Sequence, residues 1–190
     1  FYDEAARTSV KGLYAAGDEF FGGISGAAVF GWIAGENAAG EINSKAIRSG
    51  EGSEKLINDT RTSFEEIRNR PAGHMSAHWK ETNIALQQIM SDFAGGVRSE
   101  TLLDAGSFAL NRLRKKAYES LYASNPHELL RVAETLNLLE IGELVIAAAR
   151  ERKETRGKHF RSEFPYTNPL MSKFLIVKNS NGSIATEWRN

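Results

Sequence analysis

An acidic residue and a group of glycines near the start of the chain are the residues best suited to hold a ligand. Asp18 follows the apolar run 13–16, which predicts a short buried strand closed by Gly17. A carboxylate at the carboxyl end of a parallel strand can accept hydrogen bonds from sugar or ribityl hydroxyls. The glycines that follow permit a tight turn and a close approach of the backbone to a ligand: Gly22, Gly23 and Gly26.

A helix is expected directly after this turn. Ser25 is a candidate N-cap. The first turn, with Ala27, would direct free backbone amides and the positive end of the helix dipole at an electron-rich group, such as the pyrimidine edge of a reduced flavin. Small residues at three- and four-residue spacing would let the helix lie close against a sheet. The alternative is a strand–turn–helix whose glycines serve geometry alone.

A second group of charged residues lies at 152–165, where the sequence is RKETRGKHFRSEFP. Arg156, His159 and Arg161 are candidates for a domain interface or an anion site, because the planar arginine fork can bind a carboxylate with two hydrogen bonds. The alternative is structural. Gly157 would end a long helix, and the cations would satisfy its last carbonyls.

The histidines are weak candidates for a metal site. His74 and His78 stand four residues apart, a spacing that can place two ligands on one helical face. Pro71 and Gly73 favour a loop or a first helical turn there instead, and the sequence offers no evident third ligand. We therefore predict no metal site.

The composition narrows the possible functions. The chain has 24 basic and 24 acidic residues, which gives no electrostatic case for nucleic-acid binding. It has no cysteine, which excludes disulfides and iron–sulfur ligation by this segment. No apolar run approaches the roughly 20 residues of a membrane span. We expect a cytoplasmic protein, which could lie at a membrane through a partner.

The elements after residue 50 predict an antiparallel helical bundle and a hairpin. Apolar periodicity predicts four helices: 54–69, Ser76 or His78 to Phe93, Ser99 or Glu100 to Tyr122, and Asn125 to about Lys153. The connections between them are short, which favours antiparallel neighbours. Two strands, 174–179 and 184–188, flank Asn181-Gly182, a favourable hairpin turn.

Three stretches resemble the flavoprotein subunits of the succinate dehydrogenase/fumarate reductase family. Residues 12–18 (GLYAAGD) resemble its "GLYAxGE/D" segment, and 152–165 resemble its "RKESRGxHxRxDFP" signature, with Thr155 and Glu163 as departures. The helix that contains ETLNLLE, residues 134–140, resembles the family's "VETLELxNLL" helix. The chain also resembles adenylylsulfate reductase alpha and L-aspartate oxidase.

The resemblance implies an FAD-dependent oxidoreductase of which this chain is the C-terminal part. It implies that FAD lies against the glycine-rich segment, formed by Gly17, Asp18, Gly22, Gly23, Ser25, Gly26 and Ala27. The catalytic residues would lie upstream, the fragment alone would be inactive, and an iron–sulfur electron-transfer subunit is a candidate partner. The alternative is a non-catalytic helical interaction module that docks an electron-transfer subunit.

One departure concerns the substrate. Family members that act on fumarate or succinate carry a longer loop with "HGANRLGGN", whose arginine grips a substrate carboxylate. Residues 18–29 of this chain are shorter and contain neither histidine nor arginine. Dicarboxylate specificity is therefore not implied, and adenylylsulfate reductase-like members fit better.

The expected organisation has three regions and a mainly α fold. Residues 1–48 would form the incomplete C-terminal end of an FAD-binding α/β domain, contributing one strand and one helix. Residues 53–165 would form the antiparallel helical bundle, and 166–190 a C-terminal extension with a β-hairpin.

Overall fold

The computed structural model describes residues 3–17, 23–43, 53–73 and 75–189. The chain divides into two compact units, Phe1–Leu56 and Ile57–Asn190. The described helices and strands are, in chain order, α1 Gly23–Asn43, α2 Ser53–Asn69, α3 Trp79–Ala94, α4 Glu100–Ser120, α5 Pro126–Glu151, β1 Phe174–Ser180 and β2 Ser183–Arg189. A short 3₁₀ turn, Pro169–Met171, precedes β1. The mainly helical fold with a C-terminal hairpin is confirmed.

The first unit contains an irregular segment followed by α1. The strand predicted over 13–16 is reduced to an isolated bridge between Arg7 and Tyr14. The described residues of this unit contain no sheet that could pair with it. Side chains attach the segment to α1 instead, since the Tyr14 hydroxyl donates to Glu41 at 2.7 Å and Asn37 donates to a backbone carbonyl of the segment at 3.3 Å.

Helix α1 begins at Gly23 in the described residues, so the predicted N-cap is wrong. Ser25 lies inside the first turn of the helix and is exposed. Gly23 has a φ of 50°, in the left-handed region that favours glycine. The left-handed conformation of Gly23 therefore marks the start of the described helix, where Ser25 was expected to act as N-cap.

The second unit has its core where α3, α4 and α5 pack against one another. A continuous apolar cluster fills this contact: Leu86, Ala94, Leu103, Leu110, Ala117, Leu121, Val132, Leu139, Ile146 and Ala149, with Ile67 from α2. Glycines allow the close approach of the helices. A Cβ on Gly106 would lie 2.6 Å from the Phe93 Cβ, and one on Gly142 would lie 3.1 Å from Leu110.

Local capping chemistry sets the starts of the three core helices. His78 caps α3 and forms a reciprocal capping box with Glu81. Ser99 caps α4 by accepting a hydrogen bond from Leu102 N–H. Asn125 caps α5, which continues with a proline at its first position. The predicted bounds of these helices agree with the structure to within a few residues.

The C-terminal hairpin follows the predicted turn. Asn181 and Gly182 have φ values of 52° and 81°, and a two-residue type I′ turn requires positive φ at both positions. The hairpin is joined to the end of α5 by a hydrogen bond of 3.2 Å from Trp188 Nε1 to Glu151. Across the described parts of the chain, no helix has the length and apolar character needed to cross a membrane.

Candidate functional site

The glycine-rich turn, the first predicted site, is described only at its two ends. Asp18 and Gly22 lie outside the described residues. Gly17 has a φ of 125° and Gly23 a φ of 50°, both in the region where a side chain would be strained. The backbone on each side of the turn therefore requires the glycines that the sequence provides.

The first turn of α1 contains the other residues of this predicted site. Ser25 is exposed, whereas Gly26 and Ala27 are half-buried. The amides at this end of the helix carry the positive end of the helix dipole. The arrangement suits an electron-rich ligand group, and the contact of these residues with a flavin stays a prediction.

A cleft of about 550 Å³ lies beside α1. It is lined by the irregular segment and by the C-terminal half of the helix, with Arg7, Lys11, Glu36 and Glu41 at its wall. Tyr14 lies in the same cleft, and its hydrogen bond to Glu41 raises the pKa of its hydroxyl. The described candidates for the flavin contact, Gly17, Gly23, Ser25, Gly26 and Ala27, are not among the residues that line this cleft.

Residues 152–165, the second predicted site, surround a fully buried carboxylate. The Glu154 side chain is 0% exposed and accepts hydrogen bonds from Arg152, from two nitrogens of Arg156 at 2.9 and 3.1 Å, and from the backbone N–H of Asn168 at 2.8 Å. Burial alone would raise the pKa of Glu154. The hydrogen bonds from Arg156, Asn168 and Arg152 outweigh burial and lower that pKa to about 2.

Arg152 extends this network to the C-terminal hairpin. Its guanidinium donates to the carbonyls of Met171 and Lys173 at 3.0 and 2.9 Å. The same group lies 4.7 Å from the centre of the Trp188 ring, in cation–π geometry. The buried carboxylate therefore orients the arginine that attaches the hairpin to the end of α5.

Arg161 is fully buried and connects two helix ends. It donates to the carbonyl of Ala149 at 2.8 Å, in the last turn of α5, and to the Glu100 carboxylate at 2.8 Å, in the first turn of α4. Glu163 accepts a hydrogen bond from the Glu100 backbone N–H, and that bond lowers the pKa of the Glu163 carboxyl. These contacts favour the structural alternative for Arg161, because its terminal nitrogens already have internal acceptors.

His159 lies between a guanidinium and a carbonyl. Its Nδ1 is 2.8 Å from Arg98 Nη1, and its Nε2 is 2.9 Å from the Arg152 carbonyl. Arginine can only donate, so Nδ1 accepts and Nε2 carries the proton. Burial is the main cause that lowers the pKa of the imidazole. The contacts therefore require neutral His159.

Arg156 differs from the other predicted residues because its side chain is 39% exposed. It borders a pocket of about 270 Å³ that is also lined by Arg152, Met171, Lys173 and Phe174. One edge of its guanidinium is used by Glu154 and by the Asn168 carbonyl. A role for its exposed edge at an interface or an anion stays a prediction.

Several charged residues of this network, among them Glu154, Arg152 and Arg98, were not assigned a role from the sequence. Glu154 and Arg152 belong to the charged stretch itself, where an acid flanked by arginines indicates a buried ion pair. Arg98 lies 61 residues before His159. Its only local signal is its position between Gly95-Gly96 and the helix cap Ser99.

The described residues contain no group of three or more side chains that could hold a metal ion. His74 is outside the described residues, and His78 is occupied as the N-cap of α3, where its Nδ1 accepts a hydrogen bond from Lys80 N–H at 3.3 Å.

Comparison with known sequences identifies related proteins. The model of the fumarate reductase flavoprotein C-terminal family matches residues 83–189. An L-aspartate oxidase of Yersinia pestis is 28% identical over 86% of the chain, which covers 30% of that protein. The 8-methylmenaquinol:fumarate reductase flavoprotein subunit of Wolinella succinogenes is 27% identical over 98% of the chain, which covers 33% of that protein. The chain therefore spans about a third of the length of these relatives.

Solved structures share the fold. An E. coli quinol fumarate reductase FrdA superposes with a TM-score of 0.81 and 20% identity, over 100% of this chain and 35% of that one. Adenylylsulfate reductase from Archaeoglobus fulgidus superposes with a TM-score of 0.72 and 19% identity, over 86% of this chain and 28% of that one.

Proposed function

Because the chain belongs to the family of fumarate reductase flavoprotein C-terminal domains, we propose that it is the C-terminal part of an FAD-dependent oxidoreductase subunit. The family match over residues 83–189 is the observation that carries this proposal. Two relatives from different enzymes, an L-aspartate oxidase and a fumarate reductase flavoprotein subunit, align with most of the chain. In such a subunit the flavin supplies the hydride chemistry, and the protein supplies position and electrostatics.

Residues 1–48 would close one side of the flavin site. The Asp18 carboxylate would accept hydrogen bonds from ribityl hydroxyls, and the first turn of α1 would place its amides toward the electron-rich edge of the ring. Ile24 and Trp32 on α1 are 93% and 71% exposed. Large apolar side chains left in water favour a unit that is completed by further protein.

Residues 53–165 would supply the helical domain, and residues 166–190 would brace it. The buried network of Glu154 and Arg161 connects the ends of α4 and α5 with the hairpin. The Glu154 carboxylate and the terminal nitrogens of Arg161 have hydrogen-bond partners inside the chain, and Arg161 Nε lies 3.5 Å from the Glu163 carboxylate. The role of the network would therefore be to hold the domain together, with the exposed edge of Arg156 available to a neighbouring domain.

An iron–sulfur electron-transfer subunit is the partner that we propose for the parent enzyme. Cysteine is absent from this chain, so clusters that exchange electrons with the flavin would be held by other polypeptide. We propose a cytoplasmic location, with attachment to a membrane through such a partner.

An exposed apolar stripe favours the second candidate function, an interaction module without a catalytic role. Leu130, Leu138, Ile141 and Val145 lie at helical spacing on α5 and are 55%, 42%, 52% and 38% exposed. Another face of the same helix fills the core. A helix that is apolar on both faces usually has a partner on each side.

Flavin content separates the two candidates. The complete protein that contains these residues should purify with about one FAD per chain, seen in its absorption spectrum, and the 190 residues alone should not retain FAD. A complete protein that folds, binds an electron-transfer subunit and carries no flavin would support the interaction module and overturn the proposed function.

A further inference from the structure

We propose that His159 is an acid-sensitive latch that holds the segment between α3 and α4 against the C-terminal end of α5 while the imidazole is neutral, and releases that segment when the imidazole is protonated. This proposal concerns residues of the second unit alone and does not depend on the proposed function.

The latch is a chain of hydrogen bonds between two helix ends. Arg98 Nε donates to the carbonyl of Ala94, the last residue of α3, at 3.0 Å. The Nη1 of the same guanidinium donates to His159 Nδ1 at 2.8 Å. His159 Nε2 donates to the carbonyl of Arg152, the C-cap of α5, at 2.9 Å. The imidazole is therefore the central element that joins α3 to α5 at this point.

Backbone hydrogen bonds place the two segments side by side. The Arg98 N–H donates to the Phe160 carbonyl at 3.0 Å, and the Ser162 N–H donates to the Arg98 carbonyl at 3.0 Å. The backbone amides of Arg98 and Ser162 thus report directly on whether the two segments stay together. Their exchange with solvent measures the opening of the latch.

Protonation would convert the central acceptor into a donor. Protonated Nδ1 would carry a hydrogen directed at the Arg98 guanidinium, which has only donors to offer. The hydrogen bond would become a contact between two cations. The bond from Nε2 to the Arg152 carbonyl would survive, so the change would act mainly on Arg98.

The charged groups around His159 oppose its protonation. Burial lowers the pKa of the imidazole most. The hydrogen bond to the Arg152 carbonyl raises that pKa, and the charges of Arg98, Arg161 and Arg152 lower it further. Arg152 is balanced by Glu154 and Arg161 by Glu100. No carboxylate of the described residues lies within ion-pair distance of Arg98. The Arg98 cation is therefore the uncompensated one, and it faces the imidazole directly.

The direction of the pH effect follows from linkage. The unfolded or opened state takes up a proton near the ordinary histidine pKa of about 6.5, whereas the closed state takes it up at a lower pH. The stability that neutral His159 gives to the closed state is therefore complete above about pH 6.5. It is lost as the pH falls from about 6.5 toward the lowered pKa.

The test is amide hydrogen exchange of the whole chain at pH 7.5 and pH 5.0, corrected for intrinsic rates. In the wild type, we expect the opening constant at the Arg98 and Ser162 amides to rise by up to about tenfold per pH unit below pH 6.5. The amide of Leu110 in the core of α4 should change little. His159→Gln should remove this pH dependence, because a side-chain amide offers an acceptor oxygen and a donor nitrogen and does not titrate.

His127→Gln is the matched control, since His127 is exposed on the first turn of α5. It should keep the wild-type pH dependence. The proposal is overturned if His159→Gln shows the same acid response as the wild type, or if the wild-type amides stay equally protected at both pH values.

A second measurement decides the case in which His159→Gln fails to fold. Imidazole nitrogen NMR of the wild type should show unprotonated Nδ1 and protonated Nε2 at pH 7.5. Its protonation should coincide with the loss of protection at Arg98. Protonation of His159 without any change at the Arg98 amide would contradict the latch.

Discussion

Two of the stretches that resemble the family differ in whether their side chains find partners inside this chain. In residues 152–165, the buried Glu154 and Arg161 find their partners within the same unit. In the glycine-rich stretch, the described residues 12–17 contribute one isolated bridge and no sheet, and α1, which follows, exposes the large apolar side chains of Ile24 and Trp32. A shared signature can thus mark either an internal structural network or one side of a site whose other side lies elsewhere.

The largest effect on stability is expected from removing the Glu154 charge, at the centre of residues 152–165. Glu154→Gln would leave Arg152 and Arg156 without their shared buried carboxylate, and breaking a buried ion pair costs about 3–5 kcal/mol. The free energy of unfolding, measured with urea at pH 7, should fall by this amount. Glu66→Gln, at an exposed position of α2, is the control and should change it by less than about 0.5 kcal/mol.

The ion pairs of Glu154 also predict how the free energy of unfolding depends on pH. The hydrogen bonds that Glu154 accepts lower its pKa to about 2 in the folded chain, from the ordinary glutamate value of 4.5. Its ionised form therefore contributes stability that is complete above pH 4.5 and is lost as the pH falls from 4.5 toward 2. Wild type and Glu154→Gln should converge in stability over this range. A constant difference between them from pH 7 to pH 2.5 would show that the carboxylate acts by packing alone.

A smaller effect, on the retention of FAD, is expected in the glycine-rich stretch. In the complete flavoprotein, Asp18→Ala should weaken FAD retention more than Ser25→Ala, because hydrogen bonds to a charged group contribute about 1.5–3 kcal/mol and those to a neutral one less. FAD occupancy after dialysis, read from absorbance, measures the difference. Equal occupancy in the two variants would argue against a ribityl contact of Asp18.

The smallest effect is expected at Arg156, which belongs to residues 152–165 but reaches the surface. Arg156→Ala should lower the free energy of unfolding of this chain by about 1 kcal/mol, since Glu154 keeps Arg152 and the Asn168 N–H as partners. In the complete enzyme, turnover per bound flavin should stay near the wild-type value. Turnover lower by orders of magnitude, with normal stability and flavin content, would assign Arg156 to substrate binding instead.

Local chemistry explains which features were predictable from the sequence. Asn125-Pro126 and Asn181-Gly182 specify a helix start and a turn through their own backbone preferences, and both were predicted correctly. The strand over 13–16 was not, because a strand requires neighbours that the described residues do not contain.

Long-range contacts account for the rest of the candidate site. The sequence identified His159 and Arg161 as candidates, but it offered no means of pairing His159 with Arg98 or Arg161 with Glu100 across the fold. These partners are brought together by the packing of α4 and α5. Only the structure could therefore show that Arg161 is fully buried while Arg156 is partly exposed.

Amide hydrogen exchange along the whole chain most directly tests the claim that the second unit is stable by itself whereas the first requires further protein or ligand. In the isolated 190 residues, the core amides of α4 and α5 should be strongly protected and those of α1 should exchange orders of magnitude faster. In the complete flavoprotein loaded with FAD, the amides of α1 should gain protection comparable to that of α5. Equal protection of α1 and α5 in the isolated chain would contradict the account, because the first unit would then be stable without any further protein or ligand.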